Sequence, residues 1–307
     1  MVDLTNPLPM ARHSAKDEAG DGTRGIMAPP QKRKAKLDAE AGVASPLGAA
    51  ISVADQETMA MVREAVRGKR LRLAYQPVVL SRHPDRVAFW EGLIRVQEPN
   101  GRIIPAGDFI GAVENTELGR EIDCAALEYG LHTLQRNPEL RVSINMSARS
   151  IGYPRWMWTL KRALDQHPTV GERLILEITE SSAMLVPEIV QAFMDEVSQK
   201  GVAFALDDFG AGYTAIRYFK DFLFDILKID SQFVRNIHRD PDNQALTRAL
   251  LSIGKHFEMF TVAEGVEKPE EAEALRKLGV DCQQGFLFGA PTVRPPWAKE
   301  AAVAKTA

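Results

Sequence analysis

The stretch Ala205-Leu206-Asp207-Asp208-Phe209-Gly210-Ala211-Gly212-Tyr213 decides how the rest of the chain is read. Ahead of the acids, residues 202–206 form an apolar run that includes Phe204. Such a run reads as a buried strand, so Asp207 and Asp208 fall at its carboxyl end. α/β enzymes keep their chemistry at that end. Adjacent side chains on a strand point to opposite faces unless the backbone turns, and Gly210 and Gly212 permit a turn. The two carboxylates can then converge on one cation or bridge two. An acidic loop capping a helix explains an isolated Asp-Asp pair equally well.

Working outward, strand-like and helix-like segments alternate. Residues 71–79, 86–96, 141–146, 174–178, 226–229 and 261–263 read as strands, with a short one near Cys282. Helical patterns cover 109–136 (one or two helices), 156–166, 187–200, 243–257 and 269–278, and a short helix is expected after Gly212. This alternation has no linker-like break, which favours a single α/β domain closed as a (β/α) barrel over 51–298. A doubly wound open sheet is the alternative, and no Walker-type or dinucleotide-type glycine turn supports it. The first structured helix is expected over 52–67, with Ser52 as N-cap and Gly68 as its stop. Residues 1–50 read as a disordered polar tail, and 299–307 as a short C-terminal tail. Within the first tail, Lys32-Arg33-Lys34-Ala35-Lys36 is a short basic run that could meet a protein or phosphate-bearing partner.

Of the 307 residues, 45% are hydrophobic and 26% charged, which is ordinary for a globular chain with a sizeable core. A net charge of -3 gives no overall attraction to nucleic acid polymers or anionic membranes, so a polyanionic ligand would need a local site. The two cysteines, Cys124 and Cys282, are far apart and in no metal-ligand spacing, as expected of a cytoplasmic chain. There is no apolar run long enough to span a membrane and no export signal at the start.

Polar residues interrupt strand after strand. Glu91, Asn145, Glu177, the Asp207-Asp208 pair, Lys228, Glu264 and Gln284 each fall in or just beyond an apolar stretch. Singly, each reads as a salt bridge or helix cap. In a barrel their strand ends converge, and several buried carboxylates are untenable without cations. Oxygen donors without His or Cys select a hard ion such as Mg²⁺ or Mn²⁺ over zinc. Two such ions sharing Asp207 would suit in-line attack of water on a phosphodiester. Lys228 could neutralise this charge, hold the water, or serve only as a structural ion pair. Arg95, on the same strand face as Glu91, offers a forked donor set for phosphate.

These residues resemble the EAL-domain cyclic di-GMP phosphodiesterases. The resemblance runs from Leu71-Ala74-Tyr75-Gln76-Pro77 to Gln284-Gly285-Phe286-Leu287-Phe288-Gly289-Ala290-Pro291. Between these lie Glu91-Gly92-Leu93-Ile94-Arg95, Ile144-Asn145-Met146-Ser147, Glu177-Ile178-Thr179-Glu180-Ser181, Asp207-Asp208-Phe209-Gly210, Leu227-Lys228-Ile229-Asp230 and Ala263-Glu264-Gly265-Val266-Glu267. It implies a TIM-like (β/α)8 barrel whose first strand is antiparallel to the rest, and hydrolysis of cyclic di-GMP to linear pGpG with Mg²⁺ or Mn²⁺. The family pattern implies that Glu91, Asn145, Glu177 and Asp207 hold one ion, and that Asp207, Asp208 and Glu264 hold a second. It implies catalytic parts for Lys228, Glu264 and Glu91, and substrate contacts for Gln76, Arg95 and Gln284. Glu180, Phe209 and Gly210 match loop-positioning residues, and a homodimer is implied.

The chain departs from that pattern at Glu91-Gly92-Leu93, where the family has Glu-Ala-Leu. Glycine in a strand loosens the backbone by up to about 1 kcal/mol. The segment Ala211-Gly212-Tyr213-Thr214-Ala215-Ile216 also differs, with consequences expected for loop docking and dimer coupling. Trp156-Met157-Trp158 and Phe222-Leu223-Phe224 add aromatic bulk that reads as core packing, with a partner surface as the other reading. No cyclase signature precedes Leu71. All the matched acidic positions are kept, which favours an enzyme over a catalytically weak or inactive receptor or interaction module.

Overall fold

The computed structural model describes residues 46–210 and 221–298. The basic run at Lys32, the segment from Ala211 to Ile216, the short helix expected after Gly212 and the expected C-terminal tail lie outside the described residues, as does the expected N-terminal tail up to residue 45.

Helix α1 (Pro46–Arg67) starts ahead of Ser52, which therefore lies inside the helix and not at its N-cap; the helix stops before Gly68 as expected. It buries Val62 and Ala65. Strands β1 (Leu71–Leu80) and β2 (His83–Gln97) then form an antiparallel hairpin, with Gln76 opposite Glu91 and Tyr75 opposite Gly92. A short strand the sequence reading missed, β3 (Ile103–Pro105), pairs with the end of β2. Three residues contain too little alternation to read as a strand. The segment from residue 109 to 136 divides into α2 (Ile110–Val113) and α3 (Glu117–Arg136).

From there the chain alternates. Strands β4 (Val142–Asn145), β5 (Leu174–Thr179), β6 (Ala203–Phe209), β7 (Ile226–Ile229), β8 (Phe260–Ala263) and β9 (Cys282–Gln284) follow in order. Between them run α4 (Pro154–Gln166), α5 (Pro168–Gly171), α6 (Glu180–Ala183), α7 (Pro187–Ser198), α8 (Ser231–Val234), α9 (Pro241–His256) and α10 (Pro269–Leu278). Helices α4, α5, α7, α9 and α10 each open with proline in the first turn, where its fixed φ fits and its missing N–H costs nothing.

Consecutive pairs from β2 through β4 to β9 are parallel, whereas β1 is antiparallel to both β2 and β9. The strand order β1-β9-β8-β7-β6-β5-β4-β2 closes through the β1–β2 pairing, with β3 attached outside the ring. That closure is the mixed eight-stranded barrel, and it rules out the open sheet.

Most of the core lies between the ring and the helices. Trp156 is buried there, with its ring 5.7 Å from that of Phe193, whereas Trp158 is 60% exposed beneath Arg162. Phe222 and Phe224 are buried and stack at 5.4 Å, while Leu223 stays partly exposed. The aromatic bulk is thus core packing in part only. A second apolar cluster fills the inside of the barrel, with Phe89, Ile175, Ile226, Val262 and Cys282 among its members.

Candidate active site

The site forms where strands β2 and β4–β9 end, and its first element is the Asp207-Asp208 pair. Strand β6 does not end before these residues but continues through Phe209. The turn that brings the two carboxylates together lies at Asp208 itself, with φ of 56°, and not at the glycines alone. Its pairing with β7 skips from Leu206 to Phe209. A side chain at positive φ is uncommon, and Asp is among the residues that tolerate it best. The Asp208 amide donates to Asp207 Oδ1 at 3.0 Å. Gly210 follows at φ 92°, and a Cβ there would come within 2.8 Å of the Phe233 ring. Phe209 is buried and pairs with Ile229. The Gly210 amide points to Glu180 Oε2 at a long 3.5 Å.

Inside the ring, Lys228 is almost wholly buried. Its Nζ lies 2.6 Å from Glu177, 2.7 Å from Glu264, 3.1 Å from Asp207 and 3.5 Å from Glu91. Asn145 Nδ2 donates to Glu91 Oε1 at 2.9 Å. Gln284 Nε2 donates to Glu91 Oε2 at 2.5 Å and to Gln76 Oε1 at 3.1 Å. Gln76 Nε2 in turn donates to the Gly289 carbonyl. The structure therefore brings Gln76, Glu91, Asn145, Glu177, Asp207, Lys228, Glu264 and Gln284 into one network. Arg95 stands apart: it is buried further along β2 and donates to the Ile94 carbonyl, with only the charge of Glu91 linking it to the cluster.

The charges in this network do not balance. Four carboxylates surround one ammonium. Burial penalises the Lys228 charge, but the surrounding carboxylates outweigh it and hold the lysine protonated well above its ordinary range. Burial also acts on Glu91, where Lys228 and the hydrogen bonds from Gln284 and Asn145 prevail and push the acid down. Glu177 is pushed up to about 8 by burial and by the charges of Glu91 and Asp207. Burial and Asp207 raise Glu264 well above its usual value, and burial with Asp207 and Asp230 raises Asp208. One lysine cannot neutralise this set.

A cation can. Asp207, Asp208 and Glu264 each offer a carboxylate oxygen, all within 4.8 Å of one another. Buried Glu177 Oε1 has no hydrogen-bond partner among the described residues. An oxygen-only donor set with an orphaned buried oxygen suits hard divalent ions.

One supporting residue escaped the sequence reading. Asp123 on α3 accepts from the Ser147 amide at 3.0 Å and from Ser150 Oγ at 2.6 Å, tying down the loop that follows Asn145. Burial raises its carboxyl to about 6. A signal was present: Gly119, Ala126 and Gly130 lie on the packed face of α3, and Asp123 takes a place in that same spacing.

The EAL domain family matches residues 59–291. The chain belongs to the EAL-domain family. Its EAL domain is 32% identical over 235 residues to the bifunctional diguanylate cyclase/cyclic di-GMP phosphodiesterase MucR of Pseudomonas aeruginosa, covering 75% of this chain and 34% of MucR. Cyclic di-GMP phosphodiesterase PdeR of Escherichia coli is 32% identical over 234 residues, covering 75% of this chain and 35% of PdeR. The chain thus spans about a third of the length of these relatives. A solved MucR phosphodiesterase in complex with cyclic di-GMP matches this EAL domain at a TM-score of 0.67 and 30% identity, covering 77% of this chain and 97% of the solved one. The EAL enzyme Bd1971 in its cGMP-bound form matches at a TM-score of 0.71 and 26% identity, covering 82% of this chain and 71% of that one. Among the described residues, no helix is long and apolar enough to cross a membrane.

Proposed function

We propose that this EAL domain hydrolyses cyclic di-GMP to linear pGpG with two Mg²⁺ or Mn²⁺ ions, acting in the cytoplasm as a homodimer. The observation that carries the reading is the charge-unbalanced ring of buried Glu91 and Glu177 with part-buried Asp207 and Glu264 around buried Lys228, with exposed Asp208 beside it. Relatives at about 30% identity bear the name of cyclic di-GMP phosphodiesterases, which supports the substrate.

Glu91, Asn145, Glu177 and Asp207 would hold one ion, and Asp207, Asp208 and Glu264 the other. Bound there, the ions would polarise the phosphodiester and acidify the attacking water. The protein's own groups do the rest. Lys228, whose Nζ lies within 3.5 Å of four carboxylates, would serve as a positive charge and hydrogen-bond donor beside the water and the developing phosphoryl charge. As the water bonds to phosphorus and the P–O3′ bond breaks, the Glu264 carboxylate, 2.7 Å from Lys228 Nζ, is placed to take the water's proton, and solvent supplies a proton to the departing O3′. Glu91 is held in place by Asn145 and Gln284. Gln76, Gln284 and Arg95 would contact the guanine and phosphate parts of the substrate. Glu180, Phe209 and Gly210 would set the loop after Asp208.

Purified protein with Mn²⁺ or Mg²⁺ should convert cyclic di-GMP to pGpG, and Glu91→Ala or Asp207→Asn should reduce turnover to background. Tight binding of cyclic di-GMP by the unmutated protein with no product after long incubation would sink the hydrolase and leave a receptor.

A further inference from the structure

At the opposite end of the barrel from the carboxylate ring is a cavity of about 810 Å³. It lies at the amino ends of the parallel strands, beneath the turn of the β1–β2 hairpin. Its volume is in the range of small-molecule sites. Its floor is apolar, made by Phe89, Ile175, Ile226, Val262 and Cys282. Its rim is cationic, with Arg82 from the hairpin turn, Arg86 near the start of β2 and Arg141 ahead of β4.

The acidic side of this cavity is already occupied. Asp281 is the one carboxylate in the lining, and its Oδ2 accepts from both the amide and the hydroxyl of Thr261. Arg276, also in the lining, is held by Glu273 through two short bonds. The side chains of Arg82 and Arg86 are exposed and make no ion pair or hydrogen bond among the described residues. An apolar floor under unpaired guanidinium forks matches a ligand with a phosphate head and an apolar or aromatic body.

The floor has a second property. Phe89, Ile175, Ile226, Val262 and Cys282 each stand two positions before Glu91, Glu177, Lys228, Glu264 and Gln284 on the same strands. Side chains two apart on a strand share a face, so a single tier of side chains separates the cavity from the carboxylate ring, about 7 Å away along the strands. We propose that this lower cavity is a binding site for a phosphate monoester with an apolar or aromatic body, seated against the underside of the apolar tier that supports the carboxylate ring. Two sources share that chemistry: nucleoside monophosphates and alkyl phosphates of the lipid type.

Calorimetric titration of the full chain with GMP and with n-octyl phosphate distinguishes them. At least one should bind with a stoichiometry of one, and Arg82→Glu/Arg86→Glu should weaken it at least tenfold while leaving the melting temperature unchanged. Should the double change lower that temperature, Arg86→Ala carries the same test. Binding of GMP alone names the nucleotide class, and binding of octyl phosphate alone names the lipid-type class. Failure of both probes to bind, or binding that the arginine substitutions leave intact, overturns the proposal. Neither reading depends on catalytic turnover, so the outcome stands apart from that of the hydrolase assay.

Discussion

Asp225 shows how much one acid can weigh. Its carboxylate accepts the Phe204 amide at 2.8 Å, and its backbone bonds to Phe204 and Phe260, so it stitches β6, β7 and β8 together. Burial raises its pKa from the ordinary 3.8 to about 6. A raised folded-state value means that the native chain holds this proton more tightly than the unfolded chain. The stabilisation is complete below about pH 4 and is lost as pH rises through about 6. Asp225→Asn should therefore gain on the unmutated protein by up to about 3 kcal/mol between pH 4 and pH 7. Denaturant melts at the two pH values measure this, and an unchanged difference would refute it. At the same scale, the carboxylates, Asn145, Lys228 and Gln284 stood out in the sequence because polar residues inside apolar runs are conspicuous. Asp123 did not, because an acid in a helix otherwise rich in charge attracts no notice. The φ of Asp208 left no trace either, since the neighbouring glycines explained the turn well enough without it.

At the scale of the element, Gly92 is not the loose point that a glycine in a strand suggests. It pairs with Tyr75 on β1 and Ile144 on β4, and a Cβ added to it would come 2.7 Å from Ile144 Cδ1. A Cβ at Gly130 on α3 would meet the same side chain at 2.6 Å, so Ile144 fills the space both glycines leave. Gly92→Ala, which restores the family's usual residue, should cost about 1–3 kcal/mol through overpacking. Ile144→Val removes the obstructing methyl and should recover most of that loss, although alone it costs about 0.5–1.5 kcal/mol. A double-mutant cycle by denaturant unfolding reads the coupling, and strict additivity would show that the contact is not responsible. Strands and long helices were legible as elements because their apolar periods are strong. The start of α1 and the existence of β3 were not, because helix beginnings depend on caps that several residues can supply and three residues carry no period.

For the molecule as a whole, the excess of buried carboxylates predicts that divalent ions stabilise the fold. Ions that bind only the native state at a hundred times their Kd contribute about 2.7 kcal/mol, which in a domain of this size is roughly 5–10 °C in Tm. Thermal melts with Mn²⁺ and with EDTA should differ by that margin, and Asp207→Asn should erase most of it. Equal melts in the unmutated protein would mean that the ring binds no ion. Barrel closure was the least legible feature at this scale. Alternating elements announce a parallel sheet, but nothing in the residues of β1 shows that it runs against its neighbours; that expectation came only from the resemblance.

That closing seam has a consequence for how the chain is made. Gln76 and Gln284, hydrogen-bonded across the β1–β9 junction, are 208 residues apart. The entropy of bringing them together is lost before the ring's contacts can repay it, which marks closure as a late and slow step. During synthesis β9 is the last strand to emerge, and until it arrives β1 and β8 each present an open edge to any other chain. The three residues of β9 are thus the latch of the barrel. The interval before they fall into place is when a nascent chain of this fold is most exposed to pairing with the wrong strand.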